Sequence, residues 1–164
     1  EALSYIRGLM ESKGVKRVVR SDQEIFAALP LDQPLADMDI RVTVMAQNLA
    51  GTPEELREEA ASADIGITGV DYAIAETGSC VLITGEGVSR LASLLPPVHV
   101  AVVERGQVLP SLDEFFALYG DNLLQGGGGS YMNIISGPSR SADIEQTLVT
   151  GVHGPGEVHM LLVG

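Results

Sequence analysis

Short β-branched runs alternate with stretches of helical spacing along most of the chain. The runs are RVVR at 17–20, RVTVMA at 41–46, HVAVVE at 99–104, YMNIIS at 131–136 and EVHMLLV at 157–163. Valine and isoleucine at this density suit a pleated, buried surface and predict strands. Three helix starts lie between them: Ser21 to Glu24 (SDQE), Thr52 to Glu55 (TPEE) and Ser111 to Glu114 (SLDE). Each puts Ser or Thr three residues before Glu, the spacing at which two side chains satisfy orphan backbone N–H groups reciprocally. Pro53 adds the favoured first helical position. Helices are expected over Asp22–Leu29, Pro53–Ser62 and Leu112–Tyr119, with Pro30 and Gly120 where the first and third should stop. A fourth fits Val88–Leu95, ended by Pro96 and Pro97. The stretch 71–84, DYAIAETGSCVLIT, reads as two strand-like arms around a turn, a hairpin that adds antiparallel character to the sheet. The whole pattern predicts an α/β fold, a mostly parallel sheet flanked by helices.

Composition narrows the function classes. The 164 residues fit a single domain, residues 1–164, large enough to bury a core without staples. Ten basic against 22 acidic residues leave a formal net charge of −12, which repels phosphate backbones and argues against nucleic acid as a partner. Aromatic residues are 4% and Trp is absent, so base-stacking platforms are not expected. The single cysteine, Cys80, excludes an internal disulfide, a thiolate-only zinc site and a cluster held by this chain alone. It also suits a reducing cytoplasm, the expected location. No apolar run approaches the roughly 20 residues of a membrane span, and no signal peptide is visible. The chain opens at Glu1 without an initiator Met, so native residues ahead of it are expected.

Candidate chemistry concentrates in 136–156, SGPSRSADIEQTLVTGVHGPG. A strand ending at Ser136–Gly137, a turn over Pro138–Arg140, an N-cap at Ser141 and a helix over Ala142–Val149 closed by Gly151 are expected. Ligands of open α/β sheets bind beyond the carboxyl ends of the strands. A joint there would offer backbone N–H groups to an anion, and Arg140 a bidentate contact to carboxylate or phosphate. The alternative is that Arg140 pairs with Asp143 or Glu145. Glu76, in AETG at 75–78, reads either as a nucleophile or general base or as an exposed turn residue beside a Gly78 that needs positive φ. Gly85 and Gly87 in TGEGVSR, and GGGGS at 126–130, fall short of phosphate loops; the second lacks the Gly-Lys-Ser/Thr ending. Of the histidines, His153 between Gly151 and Gly154 is the better functional candidate, while His159 reads as a core residue of the last strand. No pair has helical metal spacing, so no metal site is assigned.

Taken together and in this order, ITGVDYAIAETGS, SRLASLLPPVHVAVV and SGPSRSADIEQTLVTGVHGPGEVHMLLV resemble the lactate-utilisation (LUD) domain family, of the LutC/YkgG type. The resemblance covers about residues 64–164, and the chain looks shorter at its amino end than that family's chains. It implies a fold similar to the NagB/RpiA/CoA-transferase superfamily. It implies a bacterial subunit acting with iron–sulfur partner subunits in oxidation of L-lactate to pyruvate, itself carrying no cofactor. The motif positions carried over as the site are Glu76, Thr77 and Gly78; His99; Gly137, Pro138, Ser139 and Arg140; Asp143 and Glu145; and His153. Glu76 and His153 are the catalytic candidates, and the others would bind a small carboxylate or nucleotide. A second reading from another class is a stand-alone enzyme related to the superfamily's CoA transferases, sugar-phosphate isomerases or folate cyclo-ligases, with Glu76 as acid/base or nucleophile.

Overall fold

A computed structural model describes residues 1–46, 50–84, 89–124, 131–142, 148–151 and 153–164. In chain order its first half runs α1 (Ala2–Lys13), β1 (Arg17–Ser21), α2 (Ile25–Ala28), α3 (Asp32–Ala36), β2 (Arg41–Met45), α4 (Pro53–Ala61) and β3 (Ile65–Gly69). The second half runs β4 (Tyr72–Ile74), β5 (Ser79–Thr84), α5 (Ser89–Leu94), β6 (Val98–Glu104), β7 (Val108–Leu109), α6 (Leu112–Leu124), β8 (Tyr131–Ile135), β9 (Arg140–Ala142), β10 (Leu148–Thr150) and β11 (Glu157–Val163). Five strands form a wholly parallel sheet in the order β11-β6-β3-β1-β2. The expected α/β architecture is therefore present.

The parallel sheet is buried on both faces, as strands joined by helical crossovers must be. On one face Ile6 and Met10 of α1, Phe26, Leu31 and Leu35 cover Ile65, Ile67, Val100 and Val102. The opposite face divides in two. Ala60 of α4 and Ala92 of α5 pack on Val19 and Met45, while Ala73, Cys80 and Leu82 pack on Ala101 and Val103. Those last side chains belong to a second sheet, ordered β7-β4-β5-β8. On its far side α6 lays Phe115 and Tyr119 over Ile74 and Val81.

Three expectations are corrected here. The 71–84 hairpin exists as β4 and β5, but it builds this second sheet instead of joining the parallel one. The 131–136 run goes with it, as β8 antiparallel to β5. At both described ends of the helix expected over Ala142–Val149 the chain is strand instead, β9 and β10 pairing Ala142 to Leu148, Ser141 to Val149 and Arg140 to Thr150, while 143–147 lie outside the described residues. Val149 and Thr150 are β-branched, stiff at χ1 and better placed in a strand. Ser141 is thus a strand residue, and Gly151, at φ 81°, turns the chain out of β10.

Helix ends follow their caps unevenly. At α4 Thr52 Oγ1 accepts from the Glu55 N–H at 3.2 Å and Glu55 Oε2 accepts from the Thr52 N–H at 2.7 Å, the full reciprocal cap. At α6 only the Glu114 N–H to Ser111 Oγ bond forms, at 3.3 Å, and the helix continues through Gly120. SDQE makes no cap, because Ser21 ends β1 and is used elsewhere. The glycine tract 126–130 and the 85–88 part of TGEGVSR lie outside the described residues.

Candidate functional site

The chain passes from β1 outward to β2, then returns across β1 to β3 and continues through β6 to β11. The direction of winding reverses between β1 and β3. Loops leaving two such strands part in opposite directions, and ligands of open α/β sheets bind in the crevice this leaves at the carboxyl ends. A cleft of about 350 Å³ lies there. Its walls are Asp22, Gln23 and Glu24 after β1; Gly69, Val70 and Asp71 after β3; and Glu104 and Gln107 after β6.

Hydrogen bonds fix each wall. Buried Ser21 donates its hydroxyl to Gln23 Oε1 at 2.6 Å and accepts the Gly69 N–H at 3.3 Å, tying the end of β1 to the end of β3. Gln107 Nε2 donates to the Val70 carbonyl at 2.6 Å, and its Oε1 accepts the Glu104 N–H at 2.8 Å. A Cβ on Gly69 would stand 2.8 Å from Ile25 Cγ2 and 3.1 Å from Gln23 Oε1, so glycine lets the loop into α2 close on β3.

Asp71 is the chemically distinctive member. It is half-buried, and its Oδ2 accepts the Ile83 N–H at 2.6 Å. Desolvation pushes its carboxyl above the usual carboxylate range, and the Ile83 bond offsets part of that. A carboxyl so tuned, in a cleft at the winding reversal, fits general acid/base work. The surrounding Asp22, Glu24 and Glu104 repel anions, so this cleft suits neutral or cationic groups. Replacing Asp71 by Asn keeps an oxygen for the Ile83 N–H and removes the buried charge. Because the folded pKa is raised, wild-type stability falls as pH rises through the range above the ordinary carboxylate value. Asp71→Asn should therefore melt a few degrees later than wild type near neutral pH and together with it in acid. Thermal melts at the two pH values check this; a lower midpoint at neutral pH would remove the buried-charge argument.

The residues expected from the sequence gather at the other end of the sheet. Gly156 and Glu157 donate their N–H groups to the Pro97 carbonyl at 2.9 and 3.3 Å, just before β6 and β11 begin. Ser139 N–H donates to the Pro155 carbonyl and Gly151 N–H to the Ser139 carbonyl, both at 2.9 Å. Ser139, Gly151, Pro155 and Gly156 are thus seated at the amino ends of β6 and β11, not beyond the carboxyl ends. Hydroxyls link it to the hairpin: Ser79 Oγ lies 2.6 Å from Ser136 Oγ and 2.7 Å from Thr77 Oγ1. The structure therefore brings the AETGS and SGPSR motifs together through three side chains. Glu76, Thr77 and Gly78 form the exposed hairpin tip, with Gly78 at φ 62° and the Glu76 N–H donating to the Pro110 carbonyl. Gly137, Pro138 and Ser139 are partly covered, and Arg140 and His153 are exposed. Asp143 and Glu145 lie outside the described residues.

His99 stands near this end of β6, wholly buried. Its Nε2 is 2.9 Å from Thr68 Oγ1, while buried Nδ1 has no partner among the described residues. Burial pushes its pKa down to about 4, so the imidazole is neutral at pH 7. Cys80 is likewise buried, its thiol pushed up to about 11, which makes it inert. Among the described residues no group of three or more His, Cys, Asp or Glu is placed to hold a metal ion, and no helix is long and apolar enough to cross a membrane. The last strand's His159 is not enclosed as a core residue: it bridges Tyr5 Oη at 2.7 Å and Glu157 Oε1 at 2.6 Å, with Lys13 on the other Glu157 oxygen at 2.6 Å.

Fold and cleft define an α/β protein with a winding reversal in its parallel sheet and a second sheet stacked on that sheet. The chain belongs to the LUD domain family, whose model matches residues 1–163. It is 44% identical over 108 residues to Lactate utilization protein C of Halalkalibacterium halodurans, covering 62% of this chain and 45% of that protein. It is 40% identical over 141 residues to Lactate utilization protein C of an Exiguobacterium species, covering 79% and 60%. The chain thus spans about half the length of the curated relatives it matches. In fold it is similar to a crystal structure of a DUF162 family protein from Deinococcus radiodurans, at TM-score 0.51 and 20% identity over 99% of this chain and 96% of that one.

Proposed function

We propose that the chain serves lactate utilisation as a subunit without a cluster of its own, working with iron–sulfur partner subunits in the oxidation of L-lactate to pyruvate. The observation that carries this is its membership of the LUD domain family together with the Lactate utilization protein C relatives. The single buried cysteine supports the division of labour, since a cluster needs several thiolates. A small carboxylate or nucleotide would bind at the 136–156 loop, where Arg140 is exposed four residues after Ser136, whose hydroxyl is tied to the hairpin. Deleting the gene should impair growth on L-lactate and spare growth on glucose, with restoration by the full-length gene. Equal growth on lactate, with no duplicate gene present, would overturn the reading.

A second reading, a stand-alone enzyme, is favoured by the carboxyl-end cleft, with Asp71 taking the acid/base role the sequence suggested for Glu76. Turnover by the isolated chain, lost in Asp71→Asn, separates it from the first.

A further inference from the structure

α1 is tied to β11 by a row of side chains that includes none of the candidate-site residues. Tyr5 and Lys13 stand eight apart on α1, about two turns along one face, and Glu157 and His159 stand two apart on one face of β11. Tyr5 Oη lies 2.7 Å from His159 Nδ1, and His159 Nε2 lies 2.6 Å from Glu157 Oε1. Lys13 Nζ donates to the other Glu157 oxygen at 2.6 Å. Hydrogen bonds from Lys13 and then from His159 hold the Glu157 carboxyl below its usual range, so it is a carboxylate and only accepts. The neutral imidazole therefore carries its proton on Nε2 and turns a lone pair on Nδ1 toward Tyr5, and the phenol is the donor there.

Hydroxyl, imidazole and carboxylate in this order form the arrangement that activates a nucleophile: a base within reach of the hydroxyl, itself oriented by a third group. Burial is divided to match. The His159 side chain is mostly covered, which holds its ring in place, while Tyr5 is 47% exposed and open to a reagent. We infer that Tyr5 is an acylation site, its phenol oxygen attacking small acyl donors that carry a good leaving group while His159 takes the proton. The bond from Oη to the acyl carbon forms as the donor's bond to its leaving group breaks. The proton passes from Oη to His159 Nδ1 and on to the leaving group. A row that only clasps α1 to β11 would affect stability and leave the phenol's reactivity ordinary.

Labelling of the intact protein with N-acetylimidazole, followed by peptide mass mapping, tests this. Tyr131 is the internal reference, since it is 51% exposed and has Arg90 over its ring at 4.4 Å in place of a base at its hydroxyl. Tyr5 should be acetylated faster than Tyr131, and hydroxylamine should remove the label, as it does from a phenol ester. His159→Phe keeps a ring beside Tyr5 that takes no proton, and should slow Tyr5 relative to Tyr131 by about tenfold or more, the low end of general-base assistance. Glu157→Gln removes the charge that orients His159 and should slow it several-fold. Unchanged circular dichroism should show that both variants fold. Tyr5 labelled no faster than Tyr131, or at one rate in wild type and His159→Phe, overturns the proposal. So does a His159→Phe protein that melts earlier yet labels as wild type does, which would leave the row a clasp.

Discussion

Gly66→Ala is expected to leave the chain unable to reach its native state. Gly66 sits in β3, the middle strand of the parallel sheet, on the face covered by α5. A Cβ there would stand 1.7 Å from the Ala92 carbonyl oxygen and 3.0 Å from Pro96 Cγ. The first obstacle is helix backbone, which can move only by lifting α5 off the sheet. Lifting it would uncover Ala92, packed with Val19, Met45 and Ala60. The loss should be about 4 kcal/mol or more, a large share of the 5–15 kcal/mol that holds a typical domain. Two other glycines calibrate the effect. At Gly69 the nearest obstacles are the Ile25 and Gln23 side chains and not helix backbone, so alanine should cost about 1–3 kcal/mol. At Gly8, inside α1 with nothing within 4 Å, alanine should stabilise by about 0.5–1 kcal/mol through better helix propensity. Urea denaturation of the three variants should rank them Gly8, Gly69, Gly66 from most to least stable. A Gly66→Ala protein that unfolds near the wild-type midpoint would show that α5 is not seated as described.

That close approach also explains what was hard to read in the sequence. Four of the five parallel strands announce themselves as Val- and Ile-rich runs, but β3, IGITG, was not among them. Two of its five residues are glycine, because α5 and the loop into α2 press onto its backbone, so the burial that defines the strand removed the side chains that would have marked it. α1 was also missed. It has no side-chain cap at Glu1, and its buried stripe rests on Ile6 and Met10, though Gly14 at φ 62° is a stop signal that could have been found. Around 142–149 the sequence predicts a helix, whereas the described ends of that stretch, Ala142 and Leu148–Val149, lie in the paired strands β9 and β10.

The site was legible only where it lies in continuous motifs. AETGS and SGPSR could be singled out, and the structure joins them at Ser79 and Ser136. The carboxyl-end cleft draws on residues from three segments, 22–25, 69–71 and 104–107, none with a spacing that signals chemistry. Their meeting follows from strand order, which local patterning does not specify. In the sequence Asp71 falls on an arm of the predicted hairpin. Its character comes from burial against β5, and burial is a property of the assembled sheets.

His99 should make stability depend on pH in one definite direction. The imidazole is wholly buried and its pKa falls from 6.5 to about 4 through desolvation. Above pH 6.5 it is neutral both folded and unfolded, and its contribution is fully present. Between 6.5 and 4 the unfolded chain takes up a proton that the folded chain resists, so stability drops as pH falls. At about 1.4 kcal/mol for each tenfold in proton affinity, the loss approaches roughly 3 kcal/mol at the acid end. Carboxylates titrate there too. Asp32, held below its usual range by hydrogen bonding to Arg20, loses stability at lower pH, and Asp71, raised by burial, works in the opposite sense. The His99 contribution is therefore read by difference. His99→Gln retains a hydrogen-bonding group for Thr68 but does not titrate. It should be less stable than wild type at pH 7.5, and the gap should close by several-tenfold in unfolding equilibrium constant by pH 4.5. A gap that stays constant across this range would mean that His99 reaches solvent or an acceptor when protonated, and that its buried Nδ1 is not isolated.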